Sequence, residues 1–225
     1  MNATLDNVVA LIPVYNAAGH VGEVVRRTRD WIGRVLVVDD GSTDGSGGEA
    51  RAAGAEVLRH AANCGKGAAL KTGLARCAAL DCKWIVLLDA DGQHDPSDIP
   101  RLLAGRDGEA MFVLGNRMTQ AQKMPFTHYV GNRFSSWVLS WMCRQALPDS
   151  QCGFRALHRS LLGALKLTAD HYEVDSEMLI LAARAGHRIV SVPVATIYAD
   201  EHSHIRPLKD LVRQVRLLWR YCRER

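Results

Sequence analysis

A short apolar run at residues 85–88, Ile-Val-Leu-Leu, stops at two carboxylates, Asp89 and Asp91, which are followed by Gln93. An unbroken run of this length is typical of a strand that is covered on both faces, as in a parallel sheet. The two acids then fall at the carboxyl end of the strand, the edge at which open α/β sheets bind ligands. Carboxylates this close repel each other unless a cation lies between them or one takes a proton, and a divalent metal is the simplest explanation.

Apolar runs alternate with helical patterns throughout the first half of the chain. Strands are predicted at residues 8–12, 35–38, 56–58, 84–88 and 111–114. Helices are predicted near residues 21–31, 48–53, 67–79 and 98–103. This alternation predicts an α/β fold, in which a mainly parallel sheet carries helices on both faces.

The rhythm changes after about residue 120, where a long helical pattern at 128–146 precedes an apolar segment at 152–157. A helix-like stretch at 175–185 and a strand-like stretch at 189–194 follow. A chain of 225 residues with 48% hydrophobic content is large enough for one sizeable core. We therefore predict a single domain over residues 1–200, in which 119–200 elaborates the sheet of 1–118, followed by a C-terminal helix in 201–225.

The composition gives no sign of export or membrane insertion. No window approaches the roughly 18 apolar residues of a membrane-spanning helix, and the first strand has no charged lead-in. We therefore expect a cytoplasmic protein. The six cysteines lack paired CxxC spacing, so we expect reduced thiols rather than disulfides or a zinc site.

The positive charge is concentrated in residues 206–225, which hold seven Lys/Arg against two Asp/Glu, whereas the whole chain carries +4. Apolar residues recur there at three- and four-residue steps, which predicts a basic amphipathic helix. They are Leu208, Leu211, Val212, Val215, Leu218, Trp219 and Cys222. Either this face packs on the core, or it makes peripheral contact with an anionic membrane. Nucleic acid is not predicted, because no other basic patch with interleaved aromatics is present.

Polar and aromatic residues follow the first three predicted strands, at the same edge of the sheet as Asp89 and Asp91. They are Pro13, Tyr15, Asn16, Asp39, Asp40 and a lysine between two glycines, Lys66. An aromatic ring, carboxylates that accept from base N–H or sugar hydroxyl groups, and a lysine suit a nucleotide. Each feature alone is an ordinary turn, cap or packing residue. Their occurrence in strand order favours a nucleotide pocket.

Together these segments resemble family 2 glycosyltransferases of the GT-A fold, especially the dolichyl- and polyprenyl-phosphate sugar transferases. The resemblance covers residues 7–200. It rests on residues 12–16 (IPVYN), 37–44 (VVDDGSTD), 63–68 (NCGKGA), 89–93 (DADGQ), 153–155 (GFR) and 173–177 (EVDSE).

The resemblance implies a UDP- or GDP-linked hexose donor, Mg²⁺ or Mn²⁺, and inversion at the anomeric carbon. The residues implied in donor binding are Pro13, Tyr15, Asn16, Asp39, Asp40, Lys66, Asp89 and Ala90. Asp89, Asp91 and Gln93 are implied as the metal ligands. A metal that bridges both phosphates stabilises the departing diphosphate as a Lewis acid, which gives Asp91 a catalytic role.

The acceptor is implied to be a polyprenyl- or dolichyl-phosphate type of lipid, with Arg117 and Arg133 holding its phosphate through their bidentate forks. A phosphate oxygen is already ionised at neutral pH and needs no base. A hydroxyl acceptor in a glycan or glycolipid is the alternative, and it needs a carboxylate such as Glu177, Asp175 or Glu173. The loop at 202–206 is a candidate to close over the donor phosphates.

Two other classes remain as alternatives. A non-catalytic nucleotide-sugar-binding module would have the same pocket without turnover. A haloacid-dehalogenase-like phosphatase also carries Asp-x-Asp-Gly, with the first aspartate as nucleophile, but here that motif follows the fourth strand rather than the first.

Overall fold

The computed structural model describes residues 5–106, 110–119, 126–197 and 207–224, without the side chains of 126–128 and 207–208. Its strands are β1 Val8–Val14, β2 Arg34–Asp39, β3 Glu56–Arg59, β4 Trp84–Leu87, β5 Ala110–Asn116, β6 Arg155–His158 and β7 Arg188–Pro193. Its helices are α1 Val21–Arg29, α2 Ser46–Ala52, α3 Lys66–Ala78, α4 Ile99–Ala104, α5 Phe126–Cys143, α6 Val174–Arg184 and α7 Pro207–Arg223. Short 3₁₀ turns occur at Pro96–Asp98 and Arg159–Gly163.

Within the described residues, the seven strands form one sheet in the order β3-β2-β1-β4-β6-β5-β7. All neighbouring pairs are parallel except those of β6, which runs antiparallel to both β4 and β5. The predicted α/β class with a mainly parallel sheet is confirmed. The predicted apolar segment at 152–157 yields only a four-residue strand, because residues 152–154 turn towards the carboxyl end of β4 before β6 begins.

The core lies on both faces of the central strands. Every residue of β1 except Pro13 is buried, as are all residues of β2 after Arg34. Helix α3 packs on these strands, with Gly73 directly against the side chain of Leu11. Full burial of an aliphatic side chain is worth about 1.5–3 kcal/mol, so these strands are the stable base from which the edge loops project.

Helix α7 docks on α6 through a stripe that the sequence pattern did not identify. Leu217 and Tyr221 are buried, and the Tyr221 hydroxyl donates to Glu177 at 2.9 Å. Gln214 donates to Ser176 at 2.8 Å. Most of the predicted apolar face is instead exposed. Its exposed residues are Leu211, Val212, Val215, Trp219 and Cys222. In the described part of the chain, no helix is both long and apolar enough to cross a membrane.

Candidate active site

The loops that follow β1 and β2 are clamped together at the carboxyl edge of the sheet. The Asn16 side-chain oxygen accepts from the Thr43 backbone N–H at 2.9 Å, and the Asn16 N–H donates to Ser42 Oγ at 3.0 Å. Asn16 has φ of 47°, a left-handed conformation that asparagine tolerates better than most residues. This clamp holds Pro13 and Tyr15, both half-buried, at the rim of the edge.

Asp39 and Asp40 are buried and organise the neighbouring loops. Asp39 accepts from the Ser42 N–H at 2.8 Å and pairs with Arg59 at 3.2 Å. Asp40 accepts from the backbone N–H of Gly65 at 2.7 Å and from His60 Nδ1 at 2.6 Å. The two carboxylates therefore shape the loops after β2 and β3. His60 was not identified from the sequence, because no motif or spacing connects it to Asp40.

Lys66 lies at the centre of this edge, at the first residue of α3. Its ammonium is 2.7 Å from Asp89 Oδ1 and 3.0 Å from Asp175 Oδ2. Burial alone would lower the pKa of Lys66, but the charges of Asp175 and Asp89 outweigh it and raise the pKa above its ordinary value. The lysine is therefore a fixed positive charge between the two halves of the chain.

Asp89 and Asp91 follow β4 and have opposite pKa shifts. Burial raises the pKa of Asp89, but Lys66 and His94 more than reverse this, so it lies well below its usual range. Burial and the charge of Asp89 raise the pKa of Asp91. Asp91 also accepts from the backbone N–H of Gln93 at 2.9 Å, which fixes the turn. The Gln93 carbonyl accepts from the Ile197 N–H at 2.9 Å.

These residues fit a divalent cation. Asp89 already holds a cation, the ammonium of Lys66, and the pKa of Asp91 is raised by burial and by the charge of Asp89, both of which a further cation would offset. Carboxylate oxygens are the ligands that Mg²⁺ and Mn²⁺ prefer. Asp89 and Asp91 are therefore the residues at this edge whose chemistry suits a divalent cation.

The 152–155 segment, from the second half of the chain, encloses Asp89. Gly153 lies against the Asp89 carboxylate, and the Phe154 ring stacks on buried His94 with centroids 5.4 Å apart. His94 Nε2 is 3.5 Å from Asp89 Oδ2. Arg155 is fully buried and donates to the Asp175 carbonyl at 2.7 Å. The Gly-Phe-Arg motif thus fixes both carboxylates that contact Lys66.

Arg117 follows β5 and is tied to Asp149. Its Nε and Nη2 donate to the two Asp149 oxygens at 2.8 and 2.9 Å, and Asn132 of α5 donates to the same carboxylate at 2.7 Å. Burial would lower the pKa of Arg117, but the hydrogen bonds and the charge of Asp149 outweigh burial, so the pKa lies above its ordinary value. Arg133, one residue beyond Asn132, is exposed, and its side chain has no partner among the described residues.

Glu177 is brought into a different environment from the other predicted catalytic residues. It is fully buried and accepts from the N–H groups of Thr168 and Ala169 at 2.9 and 2.8 Å, as well as from Arg220 and Tyr221. None of its contacts in the described chain is with Asp89, Asp91 or Lys66. The carboxylate is occupied in joining α6 to α7, so we do not retain Glu177 as a base. The predicted loop at 202–206 lies outside the described residues.

Comparison with known proteins identifies the family of the chain. A model of glycosyl transferase family 2 matches residues 9–165. The chain is 30% identical over 214 residues to UDP-N-acetylglucosamine--dolichyl-phosphate N-acetylglucosaminyltransferase of Methanococcus voltae, covering 84% of this chain and 85% of that protein. It is 33% identical over 205 residues to undecaprenyl-phosphate mannosyltransferase of Micrococcus luteus, covering 84% and 83%.

A solved structure of glucosyl-3-phosphoglycerate synthase from Mycobacterium tuberculosis, in complex with Mn²⁺, uridine diphosphate and phosphoglyceric acid, matches with a TM-score of 0.69. The match is 22% identical and covers 96% of this chain and 77% of that chain. The fold is the GT-A glycosyltransferase fold. The chain belongs to glycosyl transferase family 2, which confirms the resemblance seen in its motifs.

Proposed function

We propose that this glycosyltransferase moves a hexose from a UDP- or GDP-linked donor to a polyprenyl- or dolichyl-phosphate lipid, with inversion at the anomeric carbon. The observation that carries the proposal is the charge cluster at the carboxyl edge of the sheet, where the Lys66 ammonium lies 2.7 Å from Asp89 and Asp91 follows in the same turn. A leaving nucleoside diphosphate carries the charge that this site neutralises.

The donor is proposed to lie along the edge formed by the loops after β1, β2 and β3. Pro13, Tyr15 and Asn16 provide one wall, and the turns organised by Asp39 and Asp40 provide the other. Lys66 and the Asp89-Ala90-Asp91 turn are assigned to the diphosphate.

Asp89 and Asp91 are proposed to hold Mg²⁺ or Mn²⁺, with Gln93 as a third ligand. The chemistry that a divalent cation supplies when bound is Lewis-acid stabilisation of negative charge on the departing diphosphate. Lys66 contributes a second positive charge to the same group, because its ammonium already lies 2.7 Å from Asp89.

Arg117 and Arg133 are proposed to hold the acceptor phosphate. Asp149 fixes the guanidinium plane of Arg117 through two hydrogen bonds, which leaves Nη1 outside the pair. Arg133 adds a charge that has no partner among the described side chains. An ionised phosphate oxygen attacks without a base, which is consistent with the commitment of Glu177 to α7. The names of the two relatives support a lipid-phosphate acceptor.

Two helix faces are proposed to contact the membrane that holds this lipid. On α5, Val130, Phe134, Trp137 and Trp141 are exposed at three-, four- and seven-residue spacings, Trp137 at 68%. On α7 the exposed apolar residues lie among arginines, with Trp219 at 60%. Both helices contact α6. Exposed tryptophans beside basic residues suit the interface of an anionic bilayer.

A transfer assay tests the proposal. The protein is incubated with Mn²⁺, labelled UDP- and GDP-hexoses, and undecaprenyl or dolichyl phosphate in detergent, and the organic phase is analysed for a glycosylated lipid phosphate. The matched control acceptor is the polyprenol of the same length without its phosphate. We expect product only when the acceptor is the polyprenyl or dolichyl phosphate. Because the reaction inverts the anomeric carbon, an α-linked donor should give a β-linked sugar. Product with the alcohol alone would support the hydroxyl-acceptor alternative, and donor binding without any transfer would support a binding module.

A further inference from the structure

Lys66 is shared by two carboxylates that come from opposite halves of the chain. Its side chain is only 14% exposed, and its ammonium reaches Asp89 in the first half and Asp175 in the second. The Tyr172 ring centroid is 5.9 Å from the same nitrogen. Asp89 is at the same time a proposed metal ligand. The ammonium and a divalent cation therefore compete for one carboxylate.

Asp175 differs from Asp89 in that a buried arginine holds it in addition to Lys66. Arg155 donates to the Asp175 carbonyl at 2.7 Å and lies 3.3 Å from its carboxylate. The same guanidinium donates to the carbonyls of Cys152 at 2.7 Å and Ser150 at 3.0 Å. Asp175 is thus anchored to a fully buried arginine, and its carboxylate is the fixed end of the lysine contact.

We propose that Asp175 is a positioning residue for Lys66: it keeps the ammonium at the donor edge when a divalent cation takes over Asp89. This inference rests on the proposed metal site. In the metal-free enzyme Lys66 is the counter-ion of Asp89. When the carboxylate binds metal, repulsion between the two cations moves the lysine, and Asp175 retains it beside the diphosphate rather than releasing it to solvent.

The consequence is a definite pattern of metal affinities in the absence of nucleotide. Lys66→Met removes the competing cation, so Mn²⁺ is expected to bind about tenfold more tightly. Asp175→Asn leaves Asp89 as the one anionic partner of the lysine among the described residues, so Mn²⁺ is expected to bind about fivefold more weakly. In the double variant the effect of Asp175→Asn is expected to fall below about twofold, because it acts through the lysine.

The experiment is a titration of the full chain with Mn²⁺, followed by isothermal calorimetry and by the spin-resonance signal of free Mn²⁺. The matched control is a second lysine–aspartate pair, Lys71 of α3 and Asp170 of the segment before α6, which ion-pair at the surface. Lys71→Met and Asp170→Asn are expected to leave Mn²⁺ affinity unchanged within about twofold. Midpoints of thermal unfolding are recorded for each variant.

Additive effects of the two substitutions would overturn the inference, since Asp175 would then act on the metal without the lysine. Unchanged Mn²⁺ affinity in Lys66→Met would overturn it independently, even if Asp175→Asn failed to fold. Absence of Mn²⁺ binding from every variant, including in the presence of UDP or GDP, would contradict the proposed metal site as well. If lipid transfer were normal but the effects of Lys66→Met and Asp175→Asn on Mn²⁺ affinity were additive, the proposed function would stand. Only the role of Asp175 would then be rejected.

Discussion

The carboxylate of Asp89 occupies the space that a Cβ atom at Gly153 would take, with the Asp89 Cγ only 2.8 Å from that position. Gly153 has no left-handed φ, so the glycine is required by this close approach rather than by its own backbone. The following residues stack on His94 and anchor Asp175. The motif in the second half of the chain is therefore a support for a carboxylate in the first half.

Gly153→Ala is expected to displace the Asp89 carboxylate and to weaken Mn²⁺ binding by about tenfold or more, because a ligand moved by about 1 Å loses its geometry. Calorimetric titration with Mn²⁺ measures the change. Gly163→Ala is the control, since a Cβ there meets no atom within 4 Å. Equal Mn²⁺ affinity in the wild type and Gly153→Ala would show that Asp89 does not depend on this contact.

The Arg117–Asp149 pair predicts a pH-dependent contribution to stability. Burial raises the pKa of Asp149, but its bonds to Arg117 and Asn132 outweigh this and lower the pKa from the ordinary value of 3.8. Because the pKa of Asp149 is lower in the folded than in the unfolded state, its ionised carboxylate stabilises the folded protein. This contribution is complete above pH 3.8 and is lost as the pH falls through the folded-state pKa.

Asp149→Asn is therefore expected to lower the free energy of unfolding by about 3 kcal/mol at neutral pH, since it removes one partner of a buried pair. The difference from the wild type should shrink below pH 3.8. Urea unfolding across the acid range provides the measurement. A difference that is the same at every pH would contradict an ionised Asp149 in the folded protein.

Arg133→Ala is expected to raise KM for the lipid phosphate by about tenfold, because a charge-assisted contact with phosphate is lost, while donor affinity stays unchanged. Steady-state transfer with each substrate varied in turn separates the two effects. Arg51→Ala, an exposed arginine on α2, is the control of equal charge. Equal loss of donor and acceptor affinity in Arg133→Ala would argue against an acceptor role.

Trp137→Ser and Trp219→Ser are each expected to reduce partitioning onto anionic vesicles by roughly tenfold, since each removes a large apolar side chain from the proposed contact surface. Co-sedimentation with phosphatidylglycerol vesicles measures it. Tyr172→Ser, which removes an exposed aromatic residue outside both helices, is the control. If partitioning of the tryptophan variants matched that of the wild type, these faces would not be membrane contacts.

The sheet was predictable from sequence because its central strands are buried on both faces, so that runs such as 35–38 and 85–88 are apolar without interruption. The edge residues were predictable for a related reason. In a parallel sheet the carboxyl ends of strands meet at one edge, so polar residues that follow successive runs come together. Family membership followed from these same segments and was confirmed.

Contacts between distant segments were not predictable. Lys66 and Asp175 are 109 residues apart, and nothing local specifies that they pair. The buried stripe of α7 was missed because it consists of Leu217 and Tyr221, of which Tyr221 bonds to Glu177 of α6, whereas the apolar periodicity in the sequence belongs mainly to the exposed face. Glu177 was assigned to catalysis from its motif, yet its carboxylate is bonded to the 168–169 backbone and to Arg220 and Tyr221 of α7.

A crystal structure with Mn²⁺ and UDP or GDP tests the central claim, that Asp89 and Asp91 hold the cation that neutralises the departing diphosphate. The account predicts an anomalous manganese peak in contact with both carboxylates and with diphosphate oxygens, with Lys66 moved from Asp89 but still beside Asp175. A bound nucleotide with Lys66 still paired to Asp89, and no manganese at either aspartate, would contradict it.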